Sequence, residues 1–272
     1  MKKVLTGLSN NVTANKQKIK VWSESFRKYS DGEVILIIAN ANEEDIKTCE
    51  ELNIPYYQVT LIDTWYINHK RLEHTREFIK QSDGDLFLIT DVFDVIFQAD
   101  PFAKLDLENY DVFISGEGLL VREEPWNADV LSKVFPIERS ICSDTEIVCS
   151  GIMAGKKEQM INLYDSLFKI CESGTNDHNI KDQAALIIMV TKNEINRLKI
   201  FNLNDAWAMH CAASGPTQFF TSWGLKNNIE RRYGIPELID GTVYTKSGII
   251  YDMVHQFNRI PEWNEILTKE YE

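Results

Sequence analysis

Asp91 and Asp94 are the residues whose chemistry stands out first. They close an otherwise apolar run, Asp85-Leu-Phe-Leu-Ile-Thr-Asp91-Val-Phe-Asp94-Val-Ile-Phe97, opened by Ser82-Asp83-Gly84. A run of this kind reads as a strand buried on both faces. Ionised carboxylates beside such a core are costly unless something compensates them. A hard divalent cation does so and typically shares its remaining coordination with substrate phosphates. The residues by themselves equally allow two turn aspartates at a strand end, solvated or paired with backbone N–H groups.

A strand end needs a sheet around it, and the preceding residues supply one. Residues 3–7 read as a short strand, followed by a polar loop and a helix with Ile19, Trp22, Phe26 and Tyr29 at helical spacing. Asp31-Gly32 ends that helix, and residues 33–39 form a buried strand. A short helix carries Ile46, Cys49 and Leu52 and closes at Asn53-Ile-Pro55; residues 56–60 follow as a third strand. A helix over 68–81 then leads to the acidic run. This alternation predicts an α/β fold with a mostly parallel central sheet and helices on both faces. Such sheets bind ligands beyond the carboxyl ends of their strands. The second half is less regular: strands are expected over 110–115 and 147–154, and helices over 157–171 and 181–192.

A length of 272 residues allows one or two domains. With no repeat, linker or composition break, one domain over 1–272 is the economical expectation. The balance of 29 Lys and Arg against 41 Asp and Glu leaves a net charge of −12. That disfavours nucleic acid or an anionic membrane surface as the main partner. No apolar stretch approaches the length of a membrane span, and the segment after Met1 is too short for a secretory signal. A cytoplasmic location is therefore expected. Cys49, Cys142, Cys149, Cys171 and Cys211 are scattered and odd in number, which favours reduced, mostly buried thiols.

Four segments in order resemble the GT-A glycosyltransferases, the nucleotide-diphosphosugar transferase fold. Asp91-Val-Phe-Asp94 is similar to the acidic D-x-D or D-x-x-D motif that binds Mn²⁺ or Mg²⁺ there. Cys149-Ser150-Gly151 resembles the N-[AS]-G strand facing the donor sugar, with cysteine where the family more often has asparagine. Asp182-Gln183 is like the pair that opens a helix beside the anomeric carbon. Val254-His255-Gln-Phe-Asn-Arg259 is similar to the late histidine segment that completes the metal shell. The nearest likeness is to glycogenin-like retaining enzymes and to the glycosyltransferase domain of the lysyl hydroxylases.

The resemblance implies a metal-dependent hexosyltransferase that uses a nucleotide-sugar donor, UDP-linked by preference, with retention. The acceptor would be a carbohydrate, a lipid-linked glycan or a protein. Asp91, Asp94 and His255 would hold the cation, and Asp182 and Gln183 would organise the reacting sugar. Ser150 and Gly151 would face the donor. Thr6 and Gly7 end the first strand, where this fold places base and ribose, and Lys70 or Arg71 could reach the diphosphate. Plainer roles stand beside these. Asp182 suits any helix start, Thr6-Gly7 any strand-to-loop turn, and Lys70 and Arg71 a solvated helix face. His210 reads as a packing residue, and His69, His74 and His178 as solvated. Trp65 and Tyr66 could stack on a base or fill a core, and the aromatics Trp207, Phe219, Phe220, Trp223, Tyr233, Tyr244 and Trp263 carry no assignment. Two other classes compete: a haloacid-dehalogenase-type phosphatase with Asp91 as nucleophile, and a non-catalytic nucleotide-sugar binding protein.

Overall fold

A computed structural model describes residues 1–62, 67–214 and 225–272. Trp65, Tyr66, Phe219, Phe220 and Trp223 lie outside the described residues. The chain runs β1 (Lys3–Ser9), α1 (Lys16–Tyr29), β2 (Glu33–Ala39), α2 (Glu43–Glu51), β3 (Tyr56–Val59), α3 (Ile67–Gln81) and β4 (Leu86–Thr90). Next come β5 (Val95–Phe97), β6 (Val112–Leu120), α4 (Pro125–Val134), β7 (Glu146–Lys156), α5 (Lys157–Ser173) and α6 (Asp182–Thr191). The remainder is β8 (Leu198–Phe201), β9 (Ala208–His210), α7 (Cys211–Ser214), α8 (Leu225–Tyr233), β10 (Glu237–Ile239), β11 (Thr242–Tyr244), β12 (Met253–His255) and α9 (Pro261–Thr268).

The main sheet has seven strands in the order β3-β2-β1-β4-β7-β6-β8. All its pairs are parallel except those of β7, which runs against both β4 and β6. The expected α/β fold with a mostly parallel sheet is what forms. Strand alternation divides β4 between two cores. Phe87 and Ile89 join the core that holds Leu72, Phe78 and Ile79 of α3. Leu86 and Leu88 join the opposite core with Ile19, Trp22 and Phe26 of α1. Both faces are therefore covered, as the continuous apolar run requires. All five cysteines are free and buried, and no helix among the described residues is long and apolar enough to cross a membrane.

The acidic run does not continue as one strand. It leaves the main sheet after Thr90, and β5 enters a separate three-stranded sheet of order β5-β12-β9. There Val95 lies opposite His255, and His255 lies opposite His210. This small sheet returns a distant histidine to the acidic motif. The turn that follows pins it: the backbone N–H of Gln256, left-handed at φ 59, donates to the Asp94 carbonyl at 2.6 Å.

β6 extends past the expected end at Ser115, to Leu120. Its pairing with β7 slips between Ile114 and Gly116 and again between Gly116 and Leu120, and Gly118 has a φ of 78°. Bulges of this kind re-aim side chains near functional sites, and here Glu117 faces the main cavity.

Candidate active site

The cavity lies beyond the carboxyl end of β4 and has a volume of about 470 Å³, within the usual range for small-ligand sites. Asp91, Cys149, Ser150, Gly151, Asp182, Gln183 and His255 line it. Ligand atoms of Asp91, Asp94 and His255 all lie within 4.8 Å of one another. Residues separated by more than half the chain thus converge.

His255 Nε2 stands 3.4 Å from Asp91 Oδ2 and 3.7 Å from Asp94 Oδ1. It is buried and makes no hydrogen bond. A buried imidazole nitrogen that faces two carboxylates without a hydrogen bond to either is an atypical arrangement. Gly151 explains how the groups come so close. A Cβ there would lie 2.6 Å from Asp91 Oδ2 and 3.0 Å from His255 Cε1. Strand continuity fixes the same point, because the Asp91 N–H donates to the Gly151 carbonyl at 2.8 Å. Two carboxylates and an imidazole with an available nitrogen form a donor set suited to Mn²⁺ or Mg²⁺.

Arg71 ties this cluster to the second one. Its guanidinium donates to Asp91 Oδ1 at 2.5 Å and to Asp182 Oδ2 at 2.8 Å. Ser150 Oγ also donates to Asp182 Oδ2, at 3.2 Å. Asp182 Oδ1 is buried without a partner, so an acceptor stands free for a ligand hydroxyl. Gln183 donates through Nε2 to Asn127 Oδ1 at 2.9 Å, and Asn127 is held by Glu124, whose side chain caps α4.

Electrostatics differ sharply within a few ångströms. Burial opposes ionisation of Asp91, but Arg71 and His255 outweigh it and hold the carboxyl well below the usual range. Burial, with Asp91 as a like charge, pushes Asp94 up. Burial disfavours an imidazolium at His255, yet Cys149, Asp91 and Asp94 outweigh burial and raise its pKa. Glu117 is pushed up to about 7 by burial. A carboxylate pair with opposed shifts beside a histidine is the kind of perturbation found at functional sites.

Three of the expected site residues, Thr6, Gly7 and Lys70, are like Asp94 not among the residues that line this cavity. Lys70 pairs with Glu172 at 3.1 Å on the outer side of α3 and does not line the cavity. Arg71, the next residue and about 100° further round the helix, points inward in its place. Thr6 is fully buried in the sheet, and Gly7 packs so closely on β4 that a Cβ would meet the Thr90 carbonyl oxygen at 2.4 Å; neither lines the cavity. Both belong to the strand interior because β1 runs on to Ser9. His69 is buried against Glu172 rather than solvated. His210 does more than pack: it contacts His255 directly. Reading the sequence alone missed Glu117, Glu124, Trp126 and Asn127 as cavity residues. The glycines flanking Glu117 and the Glu124-Pro125 helix start were the available signals.

No protein-family model matches the chain, and no curated protein matches it in sequence. Solved structures do. An active-site mutant of LgtC superposes with a TM-score of 0.59 at 9% identity, over 98% of this chain and 95% of that one. The galactosyltransferase LgtC in complex with donor and acceptor sugar analogues gives 0.58 at 10% identity, with the same coverage. The apo bifunctional glycosyltransferase WbbM gives 0.55 at 11% identity, over 93% of this chain but 45% of that one. With a likeness that spans nearly its whole length, this chain has the GT-A fold of nucleotide-sugar glycosyltransferases.

Proposed function

We propose that the protein is a metal-dependent glycosyltransferase that moves a hexose from a nucleotide-diphosphate sugar to an acceptor hydroxyl. The observation that carries this reading is the buried Nε2 of His255, which faces Asp91 at 3.4 Å and Asp94 at 3.7 Å and makes no hydrogen bond. In that reading Asp91, Asp94 and His255 hold Mn²⁺ or Mg²⁺, which neutralises charge on the departing nucleotide diphosphate. The fold, and the glycosyltransferases that superpose on this chain, support the same class.

The chain's own residues then divide the work. Arg71 holds Asp91 and Asp182 in fixed relation, so the diphosphate and sugar subsites keep one geometry. Asp182 Oδ1 receives a sugar hydroxyl, which supplies the donor that this buried oxygen lacks. Ser150, Gly151 and Gln183 line the sugar, and Gly151 leaves room where any side chain would collide. The donor is a UDP-sugar and the transfer retains configuration. The acceptor is a carbohydrate, a lipid-linked glycan or a protein, and nucleic acid is not a partner. The kinship with glycogenin-like enzymes, the single domain over 1–272 and a cytoplasmic location belong to the same proposal.

The test is a thermal-shift screen of nucleotide sugars with and without Mn²⁺, followed by product NMR on any pair that hydrolyses or transfers. Stabilisation grows with ligand concentration over Kd, so a matched donor should raise Tm only when the metal is present. Equal shifts with chelator present would contradict the metal role. Inverted product would reject retention. Release of inorganic phosphate from sugar phosphates, without nucleotide-sugar turnover, would instead make Asp91 a phosphatase nucleophile.

A further inference from the structure

His255 has two ring nitrogens, and the second is as specifically placed as the first. Its Nδ1 lies 3.0 Å from Nδ1 of His210 and 3.5 Å from Sγ of Cys149. His210 in turn places its Nε2 2.7 Å from Ser115 Oγ. The two imidazoles are almost perpendicular, at 86°, and both are buried. They sit opposite each other in the β9–β12 pairing, while Ser115 belongs to β6 of the main sheet.

Two nitrogens 3.0 Å apart must share one proton, and its position follows from the other end of the ring. If Nε2 of His255 offers its lone pair to a cation, the single proton of the neutral ring sits on Nδ1. That proton has two acceptors within reach. Cys149 Sγ is the weaker and more distant, and it already accepts the Gly151 N–H at 3.3 Å. His210 Nδ1 is therefore the acceptor. Its own proton must then stand on Nε2, directed at Ser115 Oγ. The opposite arrangement would put a proton on His255 Nε2, between two carboxylates and in the place the cation requires.

We infer that His210, oriented by Ser115, is a positioning residue that holds His255 in its metal-binding tautomer. The inference rests on the metal reading proposed above. Cys149, His210 and His255 also bring ligand atoms within 4.8 Å of one another; in this inference His210 acts through His255 and is not itself a ligand of the cation. Its role is to accept one hydrogen bond, and any side chain that presents an acceptor at the same point should serve.

The experiment is Mn²⁺ titration of the full chain by electron paramagnetic resonance, without and with UDP, on wild type and on His255→Ala, His210→Phe, His210→Asn and Ser115→Ala. His255→Ala should abolish binding. His210→Phe should weaken it roughly 10–100-fold, the usual cost of losing an outer partner of a ligating histidine. His210→Asn, which restores an acceptor oxygen, should recover most of that loss, and Ser115→Ala should fall between. In the Mg²⁺-saturated wild type, ¹⁵N NMR should show coupling across a hydrogen bond between the two Nδ1 atoms, with the proton on His255. Wild-type protein that binds no Mn²⁺ under either condition, or His255→Ala that binds normally, would overturn the metal reading and this inference with it. Normal affinity in folded His210→Phe, with His255→Ala inactive in binding, would overturn the inference alone. Should His210→Phe fail to fold, failure of His210→Asn to bind, or a proton found on His210 Nδ1, would overturn it equally.

Discussion

On one wall of the cavity, Arg71 joins Asp91 to Asp182 through charged hydrogen bonds of 2.5 and 2.8 Å. On the other, Cys149 and His210 contact His255, and Ser115 contacts His210 in turn, so that His255 is surrounded by polar groups of low charge. The first wall is held by Coulombic attraction of the part-exposed Arg71 for the part-exposed Asp91 and the buried Asp182. The second is buried and leaves His255 Nε2 without a partner. A cation between the walls would complete the second while adding charge to the first. The contrast implies that the carboxylate wall sets geometry and the histidine wall sets affinity and pH response.

Removing a carboxylate should have the largest effect. Asp94→Ala is expected to lower donor hydrolysis and transfer at least about a hundredfold, the scale typical of losing one electrostatic stabiliser. Far-ultraviolet circular dichroism should stay near native, since Asp94 lies in a turn. Undiminished activity in that variant would remove the cation from the proposal.

Cutting the link between the carboxylates tests the first wall alone. Arg71→Ala leaves Asp182, which is 2% exposed, without its cation. A buried charge that loses its partner costs about 3–5 kcal/mol, and the part-exposed side of this bridge should bring the loss to about 2–3 kcal/mol. Urea denaturation measures it. Saturating Mn²⁺ should recover part of the loss by neutralising Asp91, and a variant as stable as wild type would show that the bridge is incidental.

These walls were unequally legible in the sequence. β1 to β4 and the helices between them declared themselves because long apolar runs and helical spacing act locally. The acidic pair stood out against its apolar strand and His255 was found by resemblance, whereas their meeting depends on β5, β9 and β12, each three residues long. Periodicity has no purchase on so short a strand, and its partners are distant in the chain. Lys70 and Arg71 were not told apart because helix phase at a site is fixed by tertiary packing, not by composition. Glu117 was hidden by its bulge: Gly116-Glu117-Gly118 reads as the end of a strand, yet the backbone continues through it. Thr6 and Gly7 lie within β1 rather than at its end, because the strand runs to Ser9.

Gly151 stands where the walls meet, and filling it should move both. In Gly151→Ala the new methyl would contact Asp91 Oδ2 and His255 Cε1 below van der Waals distance. Overpacking of this sort costs about 1–3 kcal/mol. Displacement of both ligands should also weaken Mn²⁺ binding, by about tenfold on the scale of a disturbed ligand shell. A thermal melt together with a metal titration separates the two effects. Unchanged affinity would show that the cluster tolerates spreading and that the close approach serves packing alone.

The smallest effect should come from pH, and its sign distinguishes the walls. The depressed pKa of Asp91 contributes stability that is present above its unfolded value near 3.9 and lost as pH falls through the folded pKa. His255 behaves oppositely: raised above 6.5, it contributes stability that is complete below that value and is lost as pH rises through the folded pKa. Glu117, pushed from 4.5 up to about 7, adds to the same loss across that interval, because the folded chain retains a proton that the unfolded chain has shed. Chelated protein should therefore melt lower at pH 9 than at pH 6, by on the order of 5 °C for a chain of this size. Mn²⁺ binds the deprotonated ring and releases the proton, so its stabilisation should grow with pH and flatten or reverse that decline. A decline of equal slope with and without Mn²⁺ would mean that His255 titrates free of the cation, and the histidine wall would then have no part in holding it.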